Sequence, residues 1–228
     1  GDDVIGGGEG IDIIRGGEGD DFLADFGDST IYGGQGNDRI YFGELEQAIT
    51  DPTQWGINQH PNNSNGELII FGEEGDDIIQ SWSREIKKID AGSGDDEVYL
   101  ESLGRSIESE LTGGEGYDVL RTRWLPKPHD DYGVSNHLQN WSNITGFEEL
   151  WFTDHGGNLS FNFADDFGQG GITLKVRTTT YGFDLDFSAE SDAYLDIEGG
   201  NRESAQPNDS IIGGTLADTI KGLFGDDV

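Results

Sequence analysis

The chain has no cysteine and no methionine, only five prolines, and 13 basic residues set against 46 acidic ones in a length of 228. Without cysteine there is no disulfide and no thiolate metal site. No apolar run is long enough to cross a membrane as a helix, and no signal peptide is seen. The net charge of −33 argues against nucleic acid, against an anionic membrane as a direct partner, and against direct membrane insertion. It also opposes compaction, and low hydrophobicity with high net charge is the usual composition of a disordered chain. Yet 11% of the residues are aromatic, too many for a purely solvated tail. A cationic partner that supplies the missing charge reconciles the two.

Glycine is what the chain has in quantity, at 37 residues, and it recurs in a frame. The segments "GGGEGIDIIR", "GGEGDDFLA", "GGQGNDRIY", "GEEGDDIIQ", "AGSGDDEVY", "GGEGYDVLR" and "GGTLADTIK" align as G-G-x-G-x-D-x-U-x, where U is a large apolar residue. Full or near-full copies begin at Gly7, Gly16, Gly33, Gly72, Ala91, Gly113 and Gly213, with Asp12, Asp21, Asp38, Asp77, Asp96, Asp118 and Asp218 at the sixth position. Truncated copies at the ends place Asp3 and Asp227 there, and a partial copy near Asn208 places Asp209. Glycines let the backbone turn sharply and bring carbonyls inward. The aspartate adds a charged oxygen, and x-U-x makes a short strand whose middle side chain points into a core. A hard divalent cation wants six to eight such oxygens.

The pattern resembles the RTX (repeats-in-toxin) calcium-binding repeat of secreted bacterial proteins. The resemblance implies an all-β, right-handed parallel β-roll or β-helix solenoid, with successive repeats turning on opposite sides. It implies several calcium ions as cofactor, each held between turns n and n+2 on one side. The metal ligands it implies are the ten sixth-position aspartates named above, with backbone oxygens of Gly7, Gly16, Gly19, Gly33, Gly36, Gly72, Gly75, Gly92, Gly94, Gly113, Gly116 and Gly213. The adjacent acids Asp2, Asp20, Asp76, Asp95 and Asp226 are expected to add negative potential rather than direct bonds. Each site adds about 2.7 kcal/mol when calcium is a hundredfold above its dissociation constant. A handful of sites would rival the whole net stability of a typical domain, about 5–15 kcal/mol.

Two-sidedness sorts the aspartates. Asp3, Asp21 and Asp38 are 18 and 17 residues apart, and Asp77, Asp96 and Asp118 are 19 and 22 apart, each close to two repeats. The arms between them (25–32, 81–90 and 100–112) are degenerate. A one-sided calcium row is therefore expected, with Asp12 alone on the opposite edge and a two-sided arrangement only near Asp209, Asp218 and Asp227. Lys87, Lys88 and Arg105 fall in the degenerate arms, where they either replace the charge of an absent calcium or are ordinary surface residues.

The expected division is a roll over 1–121 with an insertion at 42–66, a loop and calcium-poor solenoid (or small inserted β domain) over 122–206, and the start of a second, truncated repeat block at 207–228. Within the insertion, "GELEQAIT" suggests two helical turns stopped at Asp51-Pro52, ahead of a loop with Trp55 and His60. His129, Asp130, Asp131 and His137 sit in a second loop with no spacing that would join them as a zinc site. "NITGFEELWFTD" is similar to the GxE-x-L coils that join calcium-poor stretches of RTX surface proteins. Short alternating strands follow at Leu159/Phe161/Phe163, Ile172/Leu174/Val176, Phe183/Leu185/Phe187 and Leu195/Ile197.

No compact catalytic constellation is present, and no enzyme is expected. The reading is a calcium-binding structural section of a secreted or cell-surface RTX protein of adhesin or S-layer type, exported unfolded by a type I route and folding on extracellular calcium. Its partners would be calcium and neighbouring coils of a longer parent chain. The alternative is a calcium-dependent module that binds polysaccharide or a cell surface.

Overall fold

Each repeat sends one apolar side chain inward from a strand too short to bury it alone, so the chain can bury these residues only by stacking coils. The computed structural model describes residues 1–8, 10–25, 27–42, 68–81, 86–102, 109–124, 139–140, 143–152, 159–162, 173–178, 183–199 and 209–222. Among these every regular element is a strand. The strands β1 (Val4–Gly6), β2 (Ile13–Glu18), β3 (Phe22–Asp25), β4 (Thr30–Gln35), β5 (Arg39–Phe42), β6 (Leu68–Glu74), β7 (Ile78–Ser81), β8 (Ile86–Ser93), β9 (Glu97–Ser102), β10 (Glu110–Glu115) and β11 (Val119–Trp124) alternate between two sheets. They continue as β12 (Gln139–Asn140), β13 (Ile144–Thr145), β14 (Glu149–Phe152), β15 (Leu159–Asn162), β16 (Thr173–Thr178), β17 (Phe183–Asp186), β18 (Tyr194–Glu198), β19 (Ser210–Ile212) and β20 (Thr219–Lys221).

The odd strands from β1 to β11, then β14, β16, β18 and β20, form one ten-stranded parallel sheet. It runs through the repeats and through 149–198 without a break. The facing wall changes partway. Strands β2, β4, β6, β8, β10 and β13 make a six-stranded sheet, and β12, β15, β17 and β19 make a separate four-stranded one. Strands β12 and β13 follow each other in one coil but belong to different sheets. The fold is a parallel β-roll solenoid.

Between the walls lies a single apolar core. The eighth-position residues of the repeats stack in register as Leu23, Ile40, Ile79, Val98 and Leu120, then Leu150, Val176 and Ile197, all buried. Ile14, Ile31, Ile70, Ile89 and Leu111 face them from the other wall. Phe147, Phe152 and Phe187 are among the largest fully buried side chains, so phenylalanine fills the core where the glycine motif is missing. The short helix expected in the 42–66 insertion, Trp55, His60, Trp82, Arg105, the loop group His129, Asp130, Asp131 and His137, and Trp141 lie outside the described residues.

Candidate metal centre

The glycine-aspartate segments that begin at Gly16, Gly33, Gly72, Ala91 and Gly113 form the turns that carry the chain from the six-stranded sheet into the ten-stranded one. Their tightness has a concrete cause. A Cβ placed on Gly16 would lie 2.5 Å from the carbonyl oxygen of Gly33, one coil on, and a Cβ on Gly33 would lie 2.5 Å from that of Gly72. Each would also run into Oδ2 of the aspartate in its own turn, Asp21 or Asp38. Glycine thus leaves open a cradle that a methyl would fill. The second position of the turn takes a positive φ, as at Gly34 (φ 126°) and Gly92 (φ 119°), and at Glu73 (φ 79°), the one described non-glycine residue with that conformation.

The sixth-position aspartates form a column along this edge. The backbone N–H of each donates to Oδ1 of the aspartate one coil on. These bonds run Asp3 to Asp21 (2.7 Å), Asp21 to Asp38 (2.8 Å), Asp38 to Asp77 (2.8 Å), Asp77 to Asp96 (2.8 Å) and Asp96 to Asp118 (2.9 Å). From Asp21 to Asp118 all are buried. In every one of these five, Oδ2 is buried and has no hydrogen-bond partner. Such a row of orphaned charged oxygens is costly unless a cation or a proton satisfies it.

The groups fit calcium. The orphan oxygens of Asp21, Asp38, Asp77 and Asp118 point into the cradles that the first glycines of their turns leave open, beside backbone carbonyls of the next coil. No cluster of three or more metal-binding side chains occurs among the described residues, so one aspartate per coil would have to be completed by carbonyl oxygens, a hard-donor set suited to calcium. Ala91 departs from the pattern, standing buried at the first position of its copy where the others have glycine.

The electrostatics agree. Burial, reinforced by the carboxylates of neighbouring coils, pushes Asp77 up to about 8, Asp118 up to about 7 and Asp96 up to about 6. Asp38 is raised for the same reasons, burial first. Backbone N–H donation lowers each of them but does not offset the desolvation.

A second ladder lies outside the first and runs in the opposite sense. The N–H of Asp20 donates to Oδ1 of Asp2, Asn37 to Asp20, Asp76 to Asn37, Asp95 to Asp76 and Tyr117 to Asp95. The fifth-position acids therefore make direct backbone bonds, beyond the negative potential expected of them.

Glu148 was not foreseen. Its Oε2 accepts the N–H of Asp118 at 2.7 Å, so it stands where the next column aspartate would be, one methylene longer. It is buried and its carboxyl is raised, by burial first. The signal lay in "GFEEL", whose Gly146 oxygen approaches Gly113 as a repeat glycine would.

The remaining expected ligands are scattered. Asp12 lies on the opposite edge, where Ser29 takes the next sixth position and its Oγ accepts the Asp12 N–H at 3.4 Å. Asp209, buried, precedes β19 on that same side, next to Gly199. Asp218 precedes β20 on the column side. Its Oδ1 accepts the Leu195 N–H at 3.1 Å and its Oδ2 that of Gly214 at 2.9 Å, so neither oxygen is orphaned. Asp227 and Asp226 lie outside the described residues. Lys88 is on the outer face of the six-stranded sheet, its Nζ 3.5 Å from Asp90, 3.7 Å from Glu110 and 5.6 Å from the Phe71 ring centre. It does not stand in for a calcium at the edge.

A family model for the RTX calcium-binding nonapeptide repeat matches residues 1–24, 23–44 and 208–228, as four copies. No curated protein and no solved structure matches the chain. The copies around Asp77, Asp96 and Asp118 fall outside the matched segments, yet their turns repeat the hydrogen bonding of Asp21 and Asp38. Repeats of this family bind calcium, and the matched segments, which lie at the two ends of the parallel roll, are RTX calcium-binding repeats by this likeness.

Proposed function

We propose that the chain is a calcium-rigidified structural section of a secreted or cell-surface RTX protein, of adhesin or S-layer type. The matched repeat family is a structural calcium-binding module rather than a catalytic one, and proteins that carry it are typically exported by the type I route. The observation that carries the reading is the column of five buried Oδ2 atoms without partners, on Asp21, Asp38, Asp77, Asp96 and Asp118. These five would hold calcium together with neighbouring carbonyls, including those of Gly33 and Gly72. Asp3, Asp12, Asp209, Asp218 and Asp227 would add sites toward the ends. Calcium supplies the positive charge that lets the column stay ionised and buried. The proposed division falls at 121/122 and 206/207, with a calcium-poor solenoid, or a small inserted β domain, between two repeat blocks.

The test is a calcium titration of the calcium-depleted chain at neutral pH, followed by circular dichroism. Cooperative gain of β signal at extracellular, millimolar calcium supports the reading. A chain equally folded with and without calcium overturns it.

One observation favours the binding-module reading. On the outer face of the ten-stranded sheet the Arg121 guanidinium lies 5.3 Å from the Tyr99 ring centre and 5.2 Å from that of Trp151, forming a half-exposed aromatic row of the kind that stacks on sugar rings. A glycan array probed with the calcium-loaded chain decides it, and loss of binding in Trp151→Ala would locate the site.

A further inference from the structure

We propose that Asp25, which lies outside the repeat motif, forms a second-edge cation site with Asp12. The proposal rests on the calcium reading above and extends it to a turn that no motif marks.

The register shows why Asp25 is there. Gly6 pairs with Ala24 and Ile13 with Thr30, so residues 7–12 of one coil lie against only 25–29 of the next. The second turn is one residue shorter, and Asp25 stands opposite Gly7, where the repeat would have its first glycine. Asp25 is 0% exposed. Its Oδ2 accepts the Gly27 N–H at 3.0 Å and the Ser29 hydroxyl, which holds the carboxylate still. Its Oδ1 has no hydrogen-bond partner, and neither has the buried Oδ2 of Asp12.

Both orphan oxygens aim at one place. A Cβ on Gly7 would lie 3.1 Å from Asp12 Oδ2 and closer still to Asp25 Oδ1. Two carboxylate oxygens from successive coils, with Ile14 Cδ1 at 3.0 Å on the apolar side, thus line the space that the missing side chain of Gly7 leaves open. Two buried like charges this close are unfavourable alone and favourable around a cation. Hard anionic oxygens in a glycine turn select a calcium-class divalent ion. The one-sided row expected from the sequence therefore gains a partner at its first coils, with charge drawn from the first position of the turn instead of the sixth.

The test uses the whole chain, with calcium alone as the probe, and counts bound ions by equilibrium dialysis. Asp25→Asn keeps an acceptor for Gly27 and Ser29 but removes the charge. Gly7→Ala keeps its carbonyl but puts a methyl into the converging point. Each variant is expected to bind one calcium fewer than the wild type, and the double variant also only one fewer. If both single variants keep the wild-type count and calcium midpoint, or if the double variant loses two ions, the site is overturned while the calcium reading stands. Should Asp25→Asn fail to fold at saturating calcium, Gly7→Ala alone decides. A wild-type chain that binds no calcium would overturn the calcium reading and this site with it.

Discussion

The backbone N–H of Asp77 donates to Oδ1 of Asp96 at 2.8 Å, across 19 residues of sequence, while Oδ2 of each carboxylate is buried without a partner. One oxygen is thus spent on joining coils and the other is left for a ligand. That division of labour separates the structural and the metal-binding consequences of changing a column residue.

Asp96→Asn retains an acceptor for the Asp77 N–H and removes the charge. It is expected to raise the calcium midpoint of folding by about tenfold, the equivalent of about 1.4 kcal/mol. Asp95→Asn, on the outer ladder, keeps Oδ1 for the Tyr117 N–H and should shift the midpoint less than about threefold, since an exposed charge is screened. Equal shifts for the two variants would mean that the inner column has no special role.

In calcium-free solution stability should fall as pH rises. Asp77, Asp118 and Asp96 have folded values of about 8, 7 and 6 against an ordinary 3.8, so the folded chain holds protons that the unfolded chain releases. The stabilisation is complete below the ordinary carboxylate range and is lost as pH climbs through those folded values. Thermal unfolding of the calcium-depleted chain between about pH 4 and 8 checks this, and saturating calcium should flatten the dependence. A melting temperature that rises with pH without calcium would contradict the buried column.

Gly33→Ala should be costly. The added methyl would meet the Gly72 carbonyl oxygen at 2.5 Å as well as Asp38 Oδ2, and the backbone oxygen cannot rotate away. A higher calcium midpoint together with a lower melting temperature is expected. A neutral result would show that the coils can separate there at little cost.

Glu73→Gly should stabilise the chain. Glu73 holds φ at 79°, in the region that costs an L-residue roughly 1–2 kcal/mol. The flexibility of glycine in the unfolded chain returns part of this, leaving a gain of about 0.5–1 kcal/mol. Chemical denaturation at saturating calcium measures it, and a loss of stability would point to a contact of the Glu73 side chain that outweighs the strain.

Much of this was legible in the residues. The repeat frame marks Leu23, Ile40, Ile79, Val98 and Leu120 as core and places Asp21, Asp38, Asp77, Asp96 and Asp118 on one edge, because position in the frame sets both direction and depth. Asp25 was not legible, and Glu148 showed only in the "GFEEL" pattern, without its place in the column. Asp25 gains its place from a turn one residue shorter than its neighbour, which only strand pairing reveals. Glu148 reaches the column through a longer side chain, from a segment without the glycine pair. The change of facing wall between β13 and β12 was hidden as well, since both strands come from one coil and each is only two residues long.

The bond from Asp38 to Asp77 is 2.8 Å long although the two stand 39 positions apart, and the bond from Asp21 to Asp38 is also 2.8 Å at 17 positions apart. The edge registers how many coils have been wound and is indifferent to how much chain each one contains. Extra sequence can enter on the far side of a coil without disturbing this seam, and a whole coil can be gained or lost with each break rejoined by the next aspartate. Such a protein can change its reach in evolution by discrete steps while decorating its other flank freely.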